Sequence, residues 1–425
     1  MTISSTTAGQ VPWWTEPTKD QWMAWVAAWL GWTLDAFDFT IFLLVMVPIA
    51  ETFKVPLVEV TAVFTITLWL RLVGAVGSGW LADRIGRKTP LMISILWYSI
   101  CNFAAGLSPT FALLFLFRAL LGIGMGAEWP AGAALAMESW PARSRGIMSG
   151  ILQGSWSIGF LLSSAAYGLL YDVIGWRGLL MLGVLPALAV VWIRIYVKEP
   201  EVWKENRRLQ GEQNKEFRAP LFEIFRPRVL GNTLTACLWM ASGFVVYYSV
   251  YGMFATHLQK DLHLDAASIA MPIALANLVA FLASGAWGFV ADVMGRRWAM
   301  IIPAAIGLFI TPLYLFVDSY PLLAGAFIVQ GAFLGAIYGQ NPSYLSERFP
   351  TEVRATASGF CYHQGAIWAG FTGPLLALFA ATQPLGFAVP MLVSTIGAAL
   401  VFVVTLLLSP ETKGKALVSQ LSLAA

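Results

Sequence analysis

The chain has 425 residues, 58% of them hydrophobic and 12% charged, with a mean hydropathy of +0.71. So few charges cannot cover a water-soluble protein of this length, whereas a bundle of helices in lipid can carry this composition. The formal net charge of +3 reflects where the loops lie and points to no nucleic-acid partner.

In chain order, residues 1–21 form a polar amino-terminal segment without the basic, apolar and cleavage regions of a signal peptide. Apolar runs long enough to cross hydrocarbon as helices follow at 22–48, 57–80, 89–107, 110–137, 146–170 and 177–197, a first bundle over 22–197. The polar stretch 198–229 reads as a linker, partly helical, with eight basic residues in 198–228. A second bundle over 230–408 has runs at 230–256, 268–290, 298–317, 321–345, 355–380 and 386–408, and residues 409–425 form a tail. The expected fold is all-α and integral to the membrane, with twelve transmembrane helices in two pseudo-symmetric six-helix bundles.

Of the 26 lysines and arginines, twenty fall in the amino-terminal segment, every second loop and the tail. Lys54, Arg177 and Lys260 lie in the other loops, and Arg71, Arg118 and Arg194 lie within or at the end of spans. The basic side is the cytoplasmic one, so both termini are expected inside a plasma (inner) membrane. Trp22, Trp25, Trp29 and Trp32 recur at near-helical spacing, as lipid-facing anchors and packing. Cys101, Cys237 and Cys361 are far apart in the chain and suggest neither a disulfide framework nor a metal site. No nucleotide-binding loop or catalytic triad is present in the sequence, so neither an enzyme nor a cofactor is expected.

The first span holds two acids, Asp35 and Asp38, in GWTLDAFDFTIF. Three residues apart, they share one helix face. A mid-helix charge costs roughly 2.5–3.5 kcal/mol on insertion scales, so such residues pair and face a cavity. Counting residues from the span ends puts Asp38 level with Arg118, and Asp35 level with Arg71. Glu128 is expected near the cytoplasmic end of its span, either as a structural partner there or as part of the site.

Two loop motifs repeat. GWLADRIGRK at 79–88 returns as GFVADVMGRR at 288–297, and ESWPARSRGIMSG at 138–150 returns as ERFPTEVRATASG at 347–359. Asp83 and Asp292, Arg87 and Arg296, Glu138 and Glu347, and Arg145 and Arg354 are each 209 residues apart. The same offset carries Asp35, Asp38, Arg71, Arg118 and Glu128 onto Phe244, Tyr247, Ala280, Phe327 and Ile337. Features shared by the halves should serve common machinery, and features that break the repeat should serve chemistry.

The paired motifs resemble the signature of the major facilitator superfamily over nearly the whole chain. The resemblance implies two rocking bundles. It also implies a gating role for Asp83, Arg87, Glu138, Arg145, Asp292, Arg296, Glu347 and Arg354, in contacts that hold the cytoplasmic side closed. Fixing topology and helix docking is the plainer role for the same charges. AAWLGWTLDAFDF, RALLGIGMGAEWPAGAALAMESWPARSRG and GWR (175–177) look most like the sialate:proton symporter family, which carries sialate and lactate-like monocarboxylates. Two departures stand out: the linker is too short and polar for the two extra spans of sialate carriers, and GFVVYYSVYGMF (243–254) replaces a polar stretch of lactate-type members.

The expected function is a proton-coupled symporter of a small organic anion, a carboxylate. The proton-coupling candidates are Asp35 and Asp38; a protonated acid would release an arginine to bind the substrate bidentately. Substrate-binding candidates are Arg118, Arg71, Gln153, Tyr247, His363 and Gln364. Gln153 matches a substrate-binding position of related sugar symporters, Tyr247 belongs to an aromatic stripe in span 7, and His363 with Gln364 is the polar pair of span 11. Each could instead serve packing. The expected partners are the organic acid, the proton and the bilayer, with a monomeric protein. An aromatic-acid:proton symporter, a drug:proton antiporter and a membrane sensor that has lost transport are the alternatives.

Overall fold

The computed structural model describes residues 12–213, 220–264, 266–382 and 386–420. The first half comprises α1 (Lys19–Leu44), α2 (Met46–Phe53), α3 (Leu57–Ile85), α4 (Lys88–Leu107), α5 (Phe111–Ser139), α6 (Arg145–Met181) and α7 (Pro186–Tyr196). Between the halves lie α8 (Glu201–Glu212) and α9 (Pro220–Glu223). The second half comprises α10 (Pro227–Tyr247), α11 (Phe254–Lys260), α12 (Ala266–Met294), α13 (Trp298–Leu315), α14 (Tyr320–Gly331), α15 (Asn341–Arg348), α16 (Arg354–Thr382) and α17 (Ala388–Leu408).

Among the described residues, nine helical stretches are long and apolar enough to cross a membrane. One of them, Ala142–Tyr196, has 55 residues, about 80 Å of straight helix and more than twice a hydrocarbon core. It is interrupted at Gly175 (φ 62°, ψ −176°), a conformation open to glycine, and makes two passes. With α14–α15 and α16 the chain makes twelve passes in two six-helix bundles. In the first bundle α1 packs on α6 and α5 on α3 and α4; in the second α10 packs on α16 and α17, and α12 and α13 on α14. The halves meet where α6 crosses α12 and α3 crosses α16. A Cβ on Gly288 would lie 2.5 Å from the Gly146 carbonyl oxygen, so glycine lets α12 and α6 touch backbone to backbone.

Several boundaries differ from the sequence reading. Thr18 and Gln21 form a capping box, each accepting from the other's backbone N–H, so α1 starts at Lys19. The first pass continues through α2 and stops at Lys54, which is left-handed (φ 53°). The tenth pass is broken: α14 ends at Gly331, a 3₁₀ turn covers Ile337–Gln340, and α15 restarts at Asn341. Gly335, Gly339 and Pro342 are the local reasons, since glycine weakens the helix and proline lacks the N–H.

The tryptophan stripe needs correcting too. Trp25 and Trp32 are buried, Trp22 packs edge-on against Trp25 and Trp140, Trp25 also lies tilted against Trp140, and Trp32 turns inward onto Trp156. Cys237 and Cys361, far apart in sequence, meet between α10 and α16 with sulfurs 3.7 Å apart, both free thiols.

Candidate functional site

A cavity of about 70 Å³ lies between the bundles. The first half lines it from α1, α3 and α6 with Trp32, Arg71, Gln153 and Trp156; the second half lines it from α10, α12 and α16. Eight aromatic side chains form the wall: Trp32, Trp156, Phe244, Tyr247, Tyr248, Tyr251, Tyr338 and Tyr362. Among the described residues the second half contributes no Asp, Glu, Lys or Arg to it. After Tyr247 the backbone makes a π turn over Tyr248–Gly252, a widened turn often found at functional sites, and it carries Tyr248 and Tyr251 on the cavity wall.

Arg71 is the charged member of this lining. Its Nη2 donates to Asp35 Oδ2 at 2.9 Å, and the rings of Trp32, Phe39 and Trp156 lie 5.5–5.7 Å from the guanidinium carbon. A guanidinium has five donors. Arg71 Nε has no partner among the described residues, and neither have Asp35 Oδ1, Tyr251 OH, Tyr338 OH or His363 Nε2. Buried polar groups are normally hydrogen-bonded, so these atoms at and beside the cavity are open to water or to a polar ligand.

Asp38 and Arg118 also share a level, but Asn102 stands between them. Asn102 Nδ2 donates to Asp38 Oδ1 at 3.0 Å, and Arg118 Nη1 donates to Asn102 Oδ1 at 3.0 Å and to the Asp38 carbonyl oxygen at 3.3 Å. The Phe42 ring lies 4.3 Å from the Arg118 guanidinium. Neither Arg118 nor Asp38 lines the cavity; they form a separate buried cluster.

The other candidates divide. Gln153 lines the cavity, donating to Tyr362 OH at 3.1 Å and accepting from Trp129 Nε1 at 3.4 Å. Tyr247 stacks on Tyr251 at 5.1 Å, and His363 donates its Nδ1–H to the Gly359 carbonyl oxygen at 3.1 Å, its Nε2 having no partner among the described residues. Gln364 does not reach the cavity; it donates to the carbonyl oxygens of Cys237 and Cys361. Glu128 is not near a helix end: it sits beside Gly31, one turn of α1 from Asp35.

The eight loop-motif residues form two largely buried clusters, each drawing on both halves, on the face that carries both motifs. Asp83 accepts from the backbone N–H groups of Ala355 (3.0 Å) and Thr356 (2.9 Å), at the start of α16. Asp292 accepts from Gly146 (2.8 Å) and Ile147 (2.9 Å), at the start of α6. Each acid thus sits on the positive end of a helix from the opposite half. Arg87 makes two bonds to Glu138 (3.0 and 2.8 Å), which also accepts from Arg354 at 2.6 Å. Arg296 makes two to Glu347 (3.1 and 3.0 Å), which also accepts from Arg145 at 3.1 Å.

Two further acids complete the symmetry. Glu199 accepts from the N–H groups of Arg87 and Lys88, and Glu411 from those of Arg296 and Arg297. Gly86 and Gly295, both at φ 108°, form the loops on which these carboxylates sit. Burial pushes the Glu199 carboxyl above its usual range, while its two N–H bonds and Arg87 pull the other way.

The model of the Major Facilitator Superfamily matches residues 28–256 and 241–421. The chain belongs to the Major Facilitator Superfamily. It is a multi-pass membrane transporter, not an enzyme. It is 27% identical over 368 residues to the cis,cis-muconate transport protein of Acinetobacter baylyi, covering 86% of this chain and 89% of that one. A probable 4-methylmuconolactone transporter of Cupriavidus pinatubonensis is 28% identical, over 92% of this chain and 91% of its own. The sialic acid transporter NanX of Escherichia coli is 26% identical, over 86% and 89%. The solved structure of the proton:xylose symporter XylE bound to 6-bromo-6-deoxy-D-glucose has a TM-score of 0.73 at 17% identity, covering 94% of this chain and 98% of that chain, a likeness that carries the fold.

Within this superfamily member, sequence reasoning missed Asn102, Glu199 and Glu411. A lone Asn in an apolar span has no periodic signature, and its partners are 64 and 16 residues away. A signal for the two glutamates did exist: KEP at 198–200 and SPETKG at 409–414 place an acid beside a proline at the end of each half.

Proposed function

We propose that this transporter carries a small planar organic carboxylate together with a proton, by alternating access of the central cavity. The observation that supports this most is Arg71, held by one bond to Asp35 at the edge of an aromatic cavity and with donors to spare. When Asp35 takes a proton its hold on Arg71 weakens, and the guanidinium can engage a substrate carboxylate bidentately. Loss of the proton restores the internal pair and expels the anion. Asp38, Asn102 and Arg118 form the adjoining cluster, in which Arg118 fixes Asp38 rather than touching substrate.

The aromatic wall favours a flat, unsaturated acid that can stack, with Gln153, Tyr247 and His363 orienting its remaining polar atoms. Relatives named for muconate and a muconolactone point the same way. The loop-motif network closes the cytoplasmic side, where both termini lie, and its parting opens that side. One chain supplies both walls of the site, so a monomer suffices.

Uptake into proteoliposomes tests this reading. Under an inward proton gradient the wild-type protein should concentrate cis,cis-muconate or benzoate and not lactate. Asp35→Asn should keep exchange of the same acid across the membrane but lose the response to the proton gradient. Gradient-driven accumulation by Asp35→Asn would contradict the coupling role.

A further inference from the structure

Glu128 has no place in the cycle just described, yet its surroundings are those of a titrating group. It is 1% exposed and lies in the middle of α5, and neither carboxylate oxygen has a hydrogen-bond partner among the described residues. Two glycines make room for it. A Cβ on Gly31 would lie 2.5 Å from Oε1, and one on Gly132 3.0 Å from it. A small cavity of about 10 Å³, room for about one water, adjoins the carboxylate, lined by Ala28, Trp32, Trp129, Gly132, Ala133 and Leu152. Trp32 is the wall it shares with the central cavity.

The position along the axis matters. The amino-terminal end of α1 lies on the motif face, where Asp20 pairs with Lys198 of the linker at 2.8 Å. Gly31 is four residues nearer that end than Asp35, a distance of about 6 Å along the helix. Glu128 is therefore the next acid after Asp35 on the way to the motif face. The charged and titratable groups acting on it are Asp35 from α1, Arg71 from α3 and Tyr98 from α4. From α6 the cavity receives Leu152, and α16 places His363 against the neighbouring Trp129. A carboxylate bound permanently as a structural ion pair would have a cation in contact; Glu128 has glycines, tryptophans and a cavity instead.

We propose that Glu128 is a proton relay, taking the proton from Asp35 and releasing it toward the motif face once that side opens. The inference rests on the proton-coupled reading above. The step runs through one water in the cavity beside Glu128: the Asp35 O–H bond breaks as the water takes that proton, the water gives up one of its own as the Glu128 O–H bond forms, and Asp35, now an anion, re-engages Arg71. Water entering through the parted network then accepts the proton from Glu128. The substrate cavity keeps its whole lining in this step, so the relay acts on coupling and not on recognition.

The test is Glu128→Gln, which preserves volume and removes the titrating group, reconstituted with cis,cis-muconate or benzoate, whichever the wild type carries. Exchange of labelled against unlabelled acid should stay within about twofold of wild type, while accumulation driven by a proton gradient should fall at least tenfold. Glu128→Asp should recover a substantial part of that accumulation. Coupled accumulation at wild-type level in Glu128→Gln would overturn the relay alone. Equal loss of exchange and accumulation in both variants would assign Glu128 to packing and overturn it as well. A wild-type protein indifferent to the gradient would instead overturn the proton-coupled reading, and the relay with it.

Discussion

Arg71→Ala should reduce uptake of the carried acid at least a hundredfold. The substitution removes the guanidinium in the cavity lining and leaves Asp35, which is 0% exposed, without its 2.9 Å partner. Removing one member of a buried pair costs about 3–5 kcal/mol, enough on its own for a hundredfold effect. Arg71→Lys separates the two contributions. A lysine keeps a charge beside Asp35 but cannot present a planar fork, so it should restore thermal stability more than uptake. Initial rates of uptake together with the unfolding temperature of each purified variant provide the measurement. Arg118→Lys should behave differently, lowering stability with a smaller effect on apparent affinity, because Arg118 contacts Asn102 and the Asp38 backbone and lies outside the cavity lining.

Glu138→Ala should shift the balance between the two faces of the transporter. Glu138 accepts two bonds from Arg87, which also pairs with Asp83, and the cross-half bond of Arg354, and all three side chains are buried. Its removal leaves two guanidiniums without their shared anion, at a cost of about 3–5 kcal/mol to the arrangement seen here. A conformation in which the motif face opens regains water around both arginines and escapes much of that cost. Population of that conformation should rise a hundredfold or more. Labelling of a single cysteine introduced at Ser346, buried at this face beside Arg354, reads the change directly. Faster labelling in Glu138→Ala is expected; an unchanged rate would return the network to a purely topological role. Glu347→Ala, on the other side of the pseudo-symmetry, should act similarly through Arg296 and Arg145.

How much of this could be read from the sequence depended on repetition and charge. The 209-residue offset brought out the loop-motif residues, and the structure gathers all eight into two pseudo-symmetric clusters. Charge in an apolar span is costly enough to be conspicuous, so Asp35, Asp38, Arg71 and Arg118 could be placed in pairs by counting turns. The counting failed where backbone geometry intervened. The first pass runs on to Phe53 and the tenth is broken near Gly335, changes a hydropathy window does not register. Neutral polar residues were harder still. Asn102 carries the contact between Asp38 and Arg118, and nothing near it in sequence distinguishes it from a residue that bonds within its own helix. Trp32 was misread for a related reason: its spacing puts it on one helix face, and only packing reveals that this face is the cavity and not the lipid.

The proposed coupling is a single linkage, in which a proton on Asp35 would free Arg71 to hold an anion. Titrating purified protein with cis,cis-muconate or benzoate over a range of pH in which the ligand stays ionised tests it most directly. Binding one proton with the anion requires affinity to weaken as pH rises, approaching tenfold per unit. Wild-type protein should show that slope and Asp35→Asn should show none. Identical slopes in the two proteins, or an affinity for the wild type that ignores pH, would contradict it.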